Sequence, residues 1–259
     1  MNVSIIGSGN VAWHLAPALD NAGYSVREVY SRNYKHAEAL VGRLYQGDVK
    51  ATLDFSSSNS TLFIIAVSDD AIHDIVTEII LPEDAILVHT SGSQPLSALG
   101  FAATLNTGVF YPLQTFSKSK KIDFKDVPIF IESESDSVAK ILNKAANAIS
   151  KKVKQISSED RKALHVAAVF ASNFTNHMLT VAKEILVKSK LDFEILKPLI
   201  VETINKSISI GPEAAQTGPA KRGDLEILDR HIEFLKNDET LVEIYRLISQ
   251  QIIDKYSES

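Results

Sequence analysis

The amino terminus of the chain carries a glycine-rich turn that could bind phosphate groups. Val3, Ile5 and Ile6 read as a buried strand that runs into Gly7-Ser8-Gly9, and the apolar spacing of a helix follows at once. A strand, a glycine turn and a helix start with this spacing are typical of a dinucleotide pyrophosphate site. The free N–H groups of the helix start would hold the phosphates, so the pattern predicts that the cofactor contacts Gly7, Ser8, Gly9, Asn10, Val11 and Ala12.

The end of the second predicted strand indicates which dinucleotide binds. In such folds an acidic residue about 20 positions past the glycines selects NAD by binding the ribose hydroxyls. Here Ser31 and Arg32 occupy that place, and a hydroxyl beside a guanidinium suits a 2′-phosphate. Lys35 would add a second cation. The alternative interpretation is that Arg32 is a solvated surface charge, but the missing acid favours NADP.

Two further turns follow predicted strands at the edge where ligands bind in parallel sheets. Val67, Ser68 and Asp69 are expected to contact the adenosine or its ribose, and Ser91 is expected near the nicotinamide. His89, in the second turn, is a candidate for proton transfer. The alternative is a histidine that merely pairs within its own turn.

A predicted helix that starts near Glu159 carries three polar side chains of chemical interest. His165, Asn173 and His177 are separated by eight and four residues, which places them on roughly one helical face. Asn173 and His177 are candidates for proton transfer or carbonyl polarisation, and the alternative is a set of buried polar groups that satisfy neighbouring helices. No metal site is predicted, because the histidines lie twelve apart with no carboxylate fixed beside them.

Candidate substrate contacts lie in two other segments. Residues 217–224 read Thr-Gly-Pro-Ala-Lys-Arg-Gly-Asp, in which Lys221 or Arg222 could grip a carboxylate or phosphate. The alternative is a plain helix connection, with Asp224 capping the next helix. Tyr111, at the end of another predicted strand, is a candidate substrate contact and a less favoured acid.

The elements that must position these residues alternate between strand and helix over residues 1–155. This alternation predicts an α/β fold, a Rossmann-type, doubly wound and mostly parallel sheet. A third strand is expected at Thr52–Phe55. After residue 155 the pattern is helix after helix, so residues 156–259 are predicted to form an all-helical substrate and dimerisation domain, following a dinucleotide-binding domain at 1–155.

Composition restricts the classes of function. The net charge of −5 argues against general nucleic-acid binding, and the absence of cysteine excludes disulfides and thiolate metal sites. No stretch of eighteen apolar residues and no signal-peptide pattern are visible, so we expect no membrane association and a cytoplasmic protein.

Several motifs together resemble a known family. They are the glycine fingerprint, the residues that follow two predicted strands (66–69 and 89–92) and three further segments (111–116, 172–174 and 217–224). The chain resembles bacterial Rossmann-like NADP oxidoreductases whose second domain is of unknown function, and more distantly pyrroline-5-carboxylate reductase, prephenate dehydrogenase and the β-hydroxyacid dehydrogenases. The resemblance implies an NADP-type Rossmann domain and a helical domain like that of 6-phosphogluconate dehydrogenase, with a homodimer formed through those helices.

The sequence also departs from the better-known relatives. β-Hydroxyacid dehydrogenases carry a catalytic lysine four residues before an asparagine, whereas Val169 stands four residues before Asn173. Tyr111-Pro112 replaces the His-Pro expected of a prephenate dehydrogenase. We therefore expect NADP(H)-dependent hydride transfer to or from a small carbonyl, imine or hydroxy compound. The alternative is a nucleotide-binding sensor or interaction protein without turnover, which the missing lysine favours.

Overall fold

A single eight-stranded sheet forms the centre of the amino-terminal part of the chain. The computed structural model describes residues 1–256. The strand order is β3-β2-β1-β4-β5-β6-β7-β8, and every neighbouring pair is parallel except β6 and β7. The strands are β1 Asn2–Ile6, β2 Ser25–Tyr30, β3 Asp48–Lys50, β4 Leu62–Ile65, β5 Ile86–His89, β6 Thr107–Pro112, β7 Ile129–Glu132 and β8 Val153–Gln155. The predicted doubly wound, mostly parallel sheet is confirmed.

The helices continue to the end of the described chain. The α-helices are α1 Asn10–Asn21, α2 Tyr34–Val41, α3 Asp69–Glu78, α4 Asp136–Ile149, α5 Ser158–Ala168, α6 Thr175–Lys188, α7 Lys197–Ile210, α8 Pro212–Ala215, α9 Pro219–Arg222, α10 Leu225–Leu235 and α11 Glu239–Tyr256. Short 3₁₀ turns occur at Leu96–Leu99, Phe124–Asp126 and Phe193–Leu196, and a π-helical segment occurs at Val169–Phe174.

Both faces of the sheet are covered by apolar side chains. Val3 and Ile5 belong to one buried cluster, which α1, α2 and α4 complete. Ile6 belongs to a second buried cluster, to which Ile72 and Ile75 of α3 contribute. Burial on both faces explains why β4 is an unbroken apolar run, as expected for a parallel strand between two helical layers.

The third strand is not where the sequence predicted it. The edge strand β3 is Asp48–Lys50, whereas Asp54 forms only an isolated bridge with Ile80. Leu53 and Phe55 instead place their side chains in the second apolar cluster. An edge strand of three residues with two charges carries little β-propensity, and charged side chains are typical of exposed sheet edges. The predicted strand at Thr52–Phe55 is therefore wrong.

The chain divides into two compact units, residues 1–177 and 178–259. The first contains the whole sheet together with α5 and the π-helical segment, and in the second every described element is helical. The predicted division into functional domains at residue 155 stays a prediction. Within residues 1–256 no helix combines the length and the apolar character that a transmembrane span requires.

Candidate nucleotide site and the turn beside it

A cleft of about 410 Å³ lies at the carboxyl ends of β1, β2 and β4. The strand order reverses on either side of β1, which is where open parallel sheets bind their ligands. Nine of the residues predicted to bind the cofactor line the cleft: Gly7, Ser8, Gly9, Asn10, Val11, Ser31, Arg32, Val67 and Ser68. It is also lined by residues that sequence reasoning missed: Tyr30, Asn33, His36, Ala66, Ala71 and Ile75.

Gly7 is required by both its backbone conformation and its surroundings. Its φ of +118° is unfavourable for any other residue, and a Cβ atom there would lie 2.2 Å from the carbonyl oxygen of Ala66. The N–H of Gly7 donates to the carbonyl of Tyr30 at 2.7 Å, which ties the turn to the end of β2. The turn therefore brings bare backbone to the cleft, as a bound pyrophosphate requires.

The start of α1 leaves its backbone donors available. Gly9 is the N-cap residue, and no side chain caps the helix there. Ala12 is fully buried behind the cleft, where its small side chain packs in the first apolar cluster. Unpaired N–H groups and the positive end of a helix dipole favour the binding of an anion such as a phosphate group. These residues fit a dinucleotide.

The end of β2 presents hydroxyl and cationic groups to the same cleft. Ser8 Oγ donates to Ser31 Oγ at 2.8 Å, and Arg32 is exposed beside them. His36, in the first turn of α2, lines the cleft, whereas Lys35 is not among its lining residues. The sequence suggested Lys35 as a second cation here, whereas the adjacent His36 is the residue that lines the cleft.

Asp69 and Ser91 lie away from the cleft lining. The hydroxyl of Ser93 donates to Asp69 Oδ2, and Ser91 Oγ accepts hydrogen bonds from the N–H groups of Ser93 and Gln94. Asp69 therefore joins the turn after β4 to the turn after β5, whereas Ser91 stabilises the turn after β5 from within.

His89 is completely buried and both of its ring nitrogens have partners within its own turn. Nδ1 accepts from the N–H of Ser91 at 3.2 Å, and Nε2 lies 3.2 Å from the carbonyl oxygen of Pro95. Burial, followed by the nearby charge of Arg161, lowers the pKa of His89 to about 4. A neutral ring that carries its proton on Nε2 satisfies both bonds. This geometry favours a structural role for His89 over proton transfer.

Arg161 of α5 binds the turn that follows β5, a contact that sequence reasoning missed. The side chain is 1% exposed, and its Nη1 donates to the carbonyl oxygens of Ser91 at 2.9 Å and Gln94 at 2.7 Å. Nη2 donates to Glu132 Oε2 at 2.9 Å. Ser157 caps the start of α5: its Oγ accepts from the N–H of Asp160 at 3.1 Å and donates to Asp160 Oδ2 at 2.9 Å. The cap sets the residue at which α5 begins, and Arg161 lies on the buried face of its first turn.

Tyr111 and His165 form a hydrogen-bonded pair above the same turn. The hydroxyl oxygen of Tyr111 lies 3.0 Å from Nδ1 of His165, and the two rings meet edge to face. A Cβ atom on Gly92 would lie 2.5 Å from His165 Nδ1 and 2.7 Å from Tyr111 Cζ. Burial raises the pKa of the Tyr111 hydroxyl, an effect that Arg161 opposes and Asp69 reinforces. Tyr111 therefore stays protonated at neutral pH.

Asn173 and His177 follow at the end of the first unit. Asn173 lies in the π-helical segment, so simple α-helical spacing does not hold across it. Both side chains are exposed, and neither lines the nucleotide cleft, whereas His165 is half-buried against Tyr111. The three polar residues thus have different environments.

Comparison with solved structures identifies the family. The "putative NADP oxidoreductase BF3122" of Bacteroides fragilis is 38% identical, with 98% of each chain covered and a TM-score of 0.89. The chain belongs to the family of that protein. Residues 2–92 match the family described as NADP oxidoreductase, coenzyme F420-dependent, and residues 127–252 match a domain of unknown function. No curated protein matches the chain.

More distant structures share the fold of this NADP oxidoreductase family. A reductive aminase from Aspergillus terreus, in complex with NADPH and ethyl levulinate, is 14% identical over 98% of this chain and 94% of its own, with a TM-score of 0.74. Prephenate dehydrogenase from A. aeolicus, in complex with NAD+ and hydroxyphenyl propionate, is 14% identical over 100% and 98%, with a TM-score of 0.58. The predicted resemblance is confirmed, and a nicotinamide cofactor is supported.

The predicted anion-binding loop lies in the helical unit of this family member. Lys221 Nζ donates to the carbonyl of Gln216 at 2.9 Å and lies over the ring of Tyr256. Arg222 is exposed. Asp224 accepts from the N–H of Ile227 and caps α10, as the structural alternative predicted. Lys221 is thus engaged within its own unit, while the arginine faces solvent.

Proposed function

We propose that this protein is an NADP(H)-dependent oxidoreductase that acts on a small carbonyl, imine or hydroxy compound. The observation that carries the proposal is the cleft at β1, β2 and β4, in which a backbone cradle at Gly7 lies beside Ser31 and Arg32. No carboxylate is among the residues that line this cleft, and a guanidinium is the group best suited to a 2′-phosphate.

Each part of the cleft has a distinct task in this proposal. The N–H groups at the start of α1 hold the pyrophosphate, and Ser31 with Arg32 holds the 2′-phosphate. Val67 and Ser68 contact the adenosine or its ribose. When bound, the cofactor supplies the hydride chemistry, while the protein orients the substrate and manages one proton.

The remaining predicted residues stay candidates for contact with the substrate or the nicotinamide. Asn173 and His177 are candidates for carbonyl polarisation or proton transfer. Lys221 and Arg222 are candidates for holding an anionic substrate, and of the two only Arg222 is exposed. Ser91 is proposed to lie near the nicotinamide. His89 supports the turn that carries Ser91, because both of its nitrogens are occupied there.

A panel of substrates separates this proposal from its rival, a nucleotide-binding sensor. The sensor is favoured by Val169, which stands where related dehydrogenases carry a lysine. The imine arm of the panel is motivated by the similarity to the reductive aminase fold. Steady NADPH consumption with a ketone, a cyclic imine or a hydroxy acid supports the enzyme. Tight NADPH binding with no turnover on any of them supports the sensor.

We further propose a homodimer formed through the helical unit. Large apolar side chains are exposed along α6, α7 and the segment between them, among them Val187, Leu191, Ile195, Leu199, Val201 and Ile208. A second copy would cover such a patch, which monomers rarely expose. Light scattering at micromolar concentration should give twice the chain mass for the wild type and for Leu105→Asp, an exposed site in the first unit. Ile208→Asp should shift the mass towards the monomer, and a monomeric wild type would contradict the proposal.

A further inference from the structure

The hydroxyl of Tyr111 and the imidazole of His165 lie together at the carboxyl edge of the sheet. Tyr111 is near the end of β6, and His165 is on α5, so two elements distant in sequence hold the pair. β6 is two strands from β4, on the side of the sheet where the turn after β5 also lies. The pair therefore lies beside Ser91 and Gly92, the turn proposed to flank the nicotinamide.

We propose that Tyr111 is the proton donor of the reaction and that His165 positions its hydroxyl and returns its proton. This inference rests on the proposed reductase function. Reduction of a C=O or C=N group consumes one hydride and one proton. The O–H bond of Tyr111 breaks as the O–H or N–H bond of the product forms, and Nδ1 of a protonated His165 then gives its proton to the phenolate oxygen. Solvent reprotonates the half-buried imidazole.

Three features of the site suit this role better than a purely structural one. Tyr111 is protonated at neutral pH, because burial raises its pKa, so the proton to be donated is present. His165 is half-buried and has access to water, whereas His89 in the adjacent turn is fully buried with both nitrogens bonded. Gly92 lets the backbone of the turn pack directly against the pair, because a Cβ atom there would lie only 2.5 Å from His165 Nδ1.

Charged and titratable side chains surround the Tyr111–His165 pair. Arg161 and Asp69 act on the Tyr111 hydroxyl with opposite signs. Glu132 neutralises Arg161 through the ion pair at 2.9 Å, and His89 is neutral. Of these side chains, His165 on α5 contacts the tyrosine hydroxyl directly, at 3.0 Å.

The test compares Tyr111→Phe and His165→Gln with the wild type. A matched control is Tyr245→Phe, which removes an equivalent hydroxyl–imidazole contact, Tyr245 to His231 at 2.7 Å. NADPH binding is followed by energy transfer from Trp13, the single tryptophan, which lies in α1. Turnover is followed with ethyl pyruvate and with 2-methyl-1-pyrroline. The titration of His165 is measured by NMR on histidine-labelled protein.

We expect Tyr111→Phe to lose about 100-fold or more in turnover with unchanged NADPH binding, as for a general acid. The wild-type rate should fall at alkaline pH along the NMR titration of His165, and His165→Gln should lose that limb. Tyr245→Phe should match the wild type in every measurement. If Tyr111→Phe kept the wild-type turnover rate, or if His165→Gln kept the fall in rate at alkaline pH, the proposed role of the pair would be overturned. The proposed reductase function would not be affected. A wild type that binds NADPH but reduces neither probe would contradict the proposed function as well.

A second variant covers the case in which Tyr111→Phe fails to fold. Replacing Tyr111 by 3-fluorotyrosine makes the hydroxyl more acidic and keeps its ring and hydrogen bond. A changed turnover rate with unchanged NADPH binding supports proton donation by this hydroxyl. A rate identical to that of the wild type overturns it.

Discussion

The guanidinium of Arg161 lies 2.9 Å from the carboxylate of Glu132, and the arginine side chain is 1% exposed. The ion pair joins α5 to β7, and the other guanidinium nitrogen holds the carbonyls of Ser91 and Gln94. One buried cation thus fixes both the helix that carries His165 and the turn that carries Gly92.

Replacing this cation should destabilise the fold strongly. Arg161→Met leaves Glu132 unpaired in a mostly buried site, and breaking such a pair costs about 3–5 kcal/mol of the free energy of unfolding. Urea denaturation measures the loss. The matched control is Arg230→Met, which breaks an exposed pair with Glu226 and should cost less than about 0.5 kcal/mol. Equal losses in the two variants would show that burial of Arg161 has no energetic consequence.

Alanine variants of two glycines with positive φ, Gly7 and Gly23, should separate the cost of backbone strain from the cost of a steric collision. Gly23 has a φ of +88° and open space around it, so Gly23→Ala should cost about 1–2 kcal/mol of stability and leave NADPH affinity unchanged. At Gly7 the added Cβ would also collide with the carbonyl oxygen of Ala66. Gly7→Ala should therefore cost more stability and weaken NADPH binding, measured by energy transfer from Trp13. Similar behaviour of both variants would contradict the close approach at Gly7.

His89 should make the fold sensitive to acid. Its pKa falls from an ordinary value of about 6.5 in the unfolded chain to about 4 in the folded protein, so the unfolded state binds more protons between these values. The free energy of unfolding should fall by about 1.4 kcal/mol for each pH unit below about 6.5, until pH 4 is reached. Urea denaturation between pH 4 and 7 measures the slope.

The comparison that isolates this slope uses two histidine variants. His89→Gln should flatten the pH dependence by the amount attributed to His89, although the variant itself is less stable. His73→Gln, at an exposed position of α3, should keep the wild-type slope. An unchanged slope in His89→Gln would mean that His89 does not resist protonation in the folded protein.

Gly92 should be indispensable to the Tyr111–His165 pair. In Gly92→Ala the new Cβ would lie 2.5 Å from His165 Nδ1, so the hydrogen bond to Tyr111 must lengthen or break. We expect an altered NMR titration of His165 and a lower melting temperature. Gly42→Ala is the control, because a Cβ there makes only ordinary contacts from 3.5 Å. If His165 titrated identically in both variants, the contact between Gly92 and the pair would be refuted.

Features encoded within a short stretch of sequence were predictable. The turn at Gly7 and the hydroxyl and guanidinium at Ser31 and Arg32 follow directly from strands whose apolar runs are visible in the sequence. They line one cleft because β1 and β2 are adjacent in both sequence and sheet. At these residues the position predicted from the local sequence is the position found in the folded structure.

Contacts between distant parts of the chain left no pattern to find. Arg161 binds a carbonyl 70 residues away, and His165 meets a hydroxyl 54 residues away. Helical spacing predicted that His165 would act together with Asn173 and His177. In the structure His165 instead contacts Tyr111, which lies near the end of β6. The sequence around Arg161 also does not show that this arginine is buried, because its hydrogen-bond partners come from distant parts of the chain.

The central claim is tested most directly by titrating the wild type and Arg32→Ala with NADPH and with NADH. Energy transfer from Trp13 reports binding of either nucleotide. We expect NADPH to bind the wild type at least about tenfold more tightly than NADH, a difference of about 1.4 kcal/mol. Arg32→Ala should remove that preference by weakening NADPH alone. Equal affinities for the two nucleotides, unchanged by Arg32→Ala, would contradict the assignment of NADP(H) to this cleft.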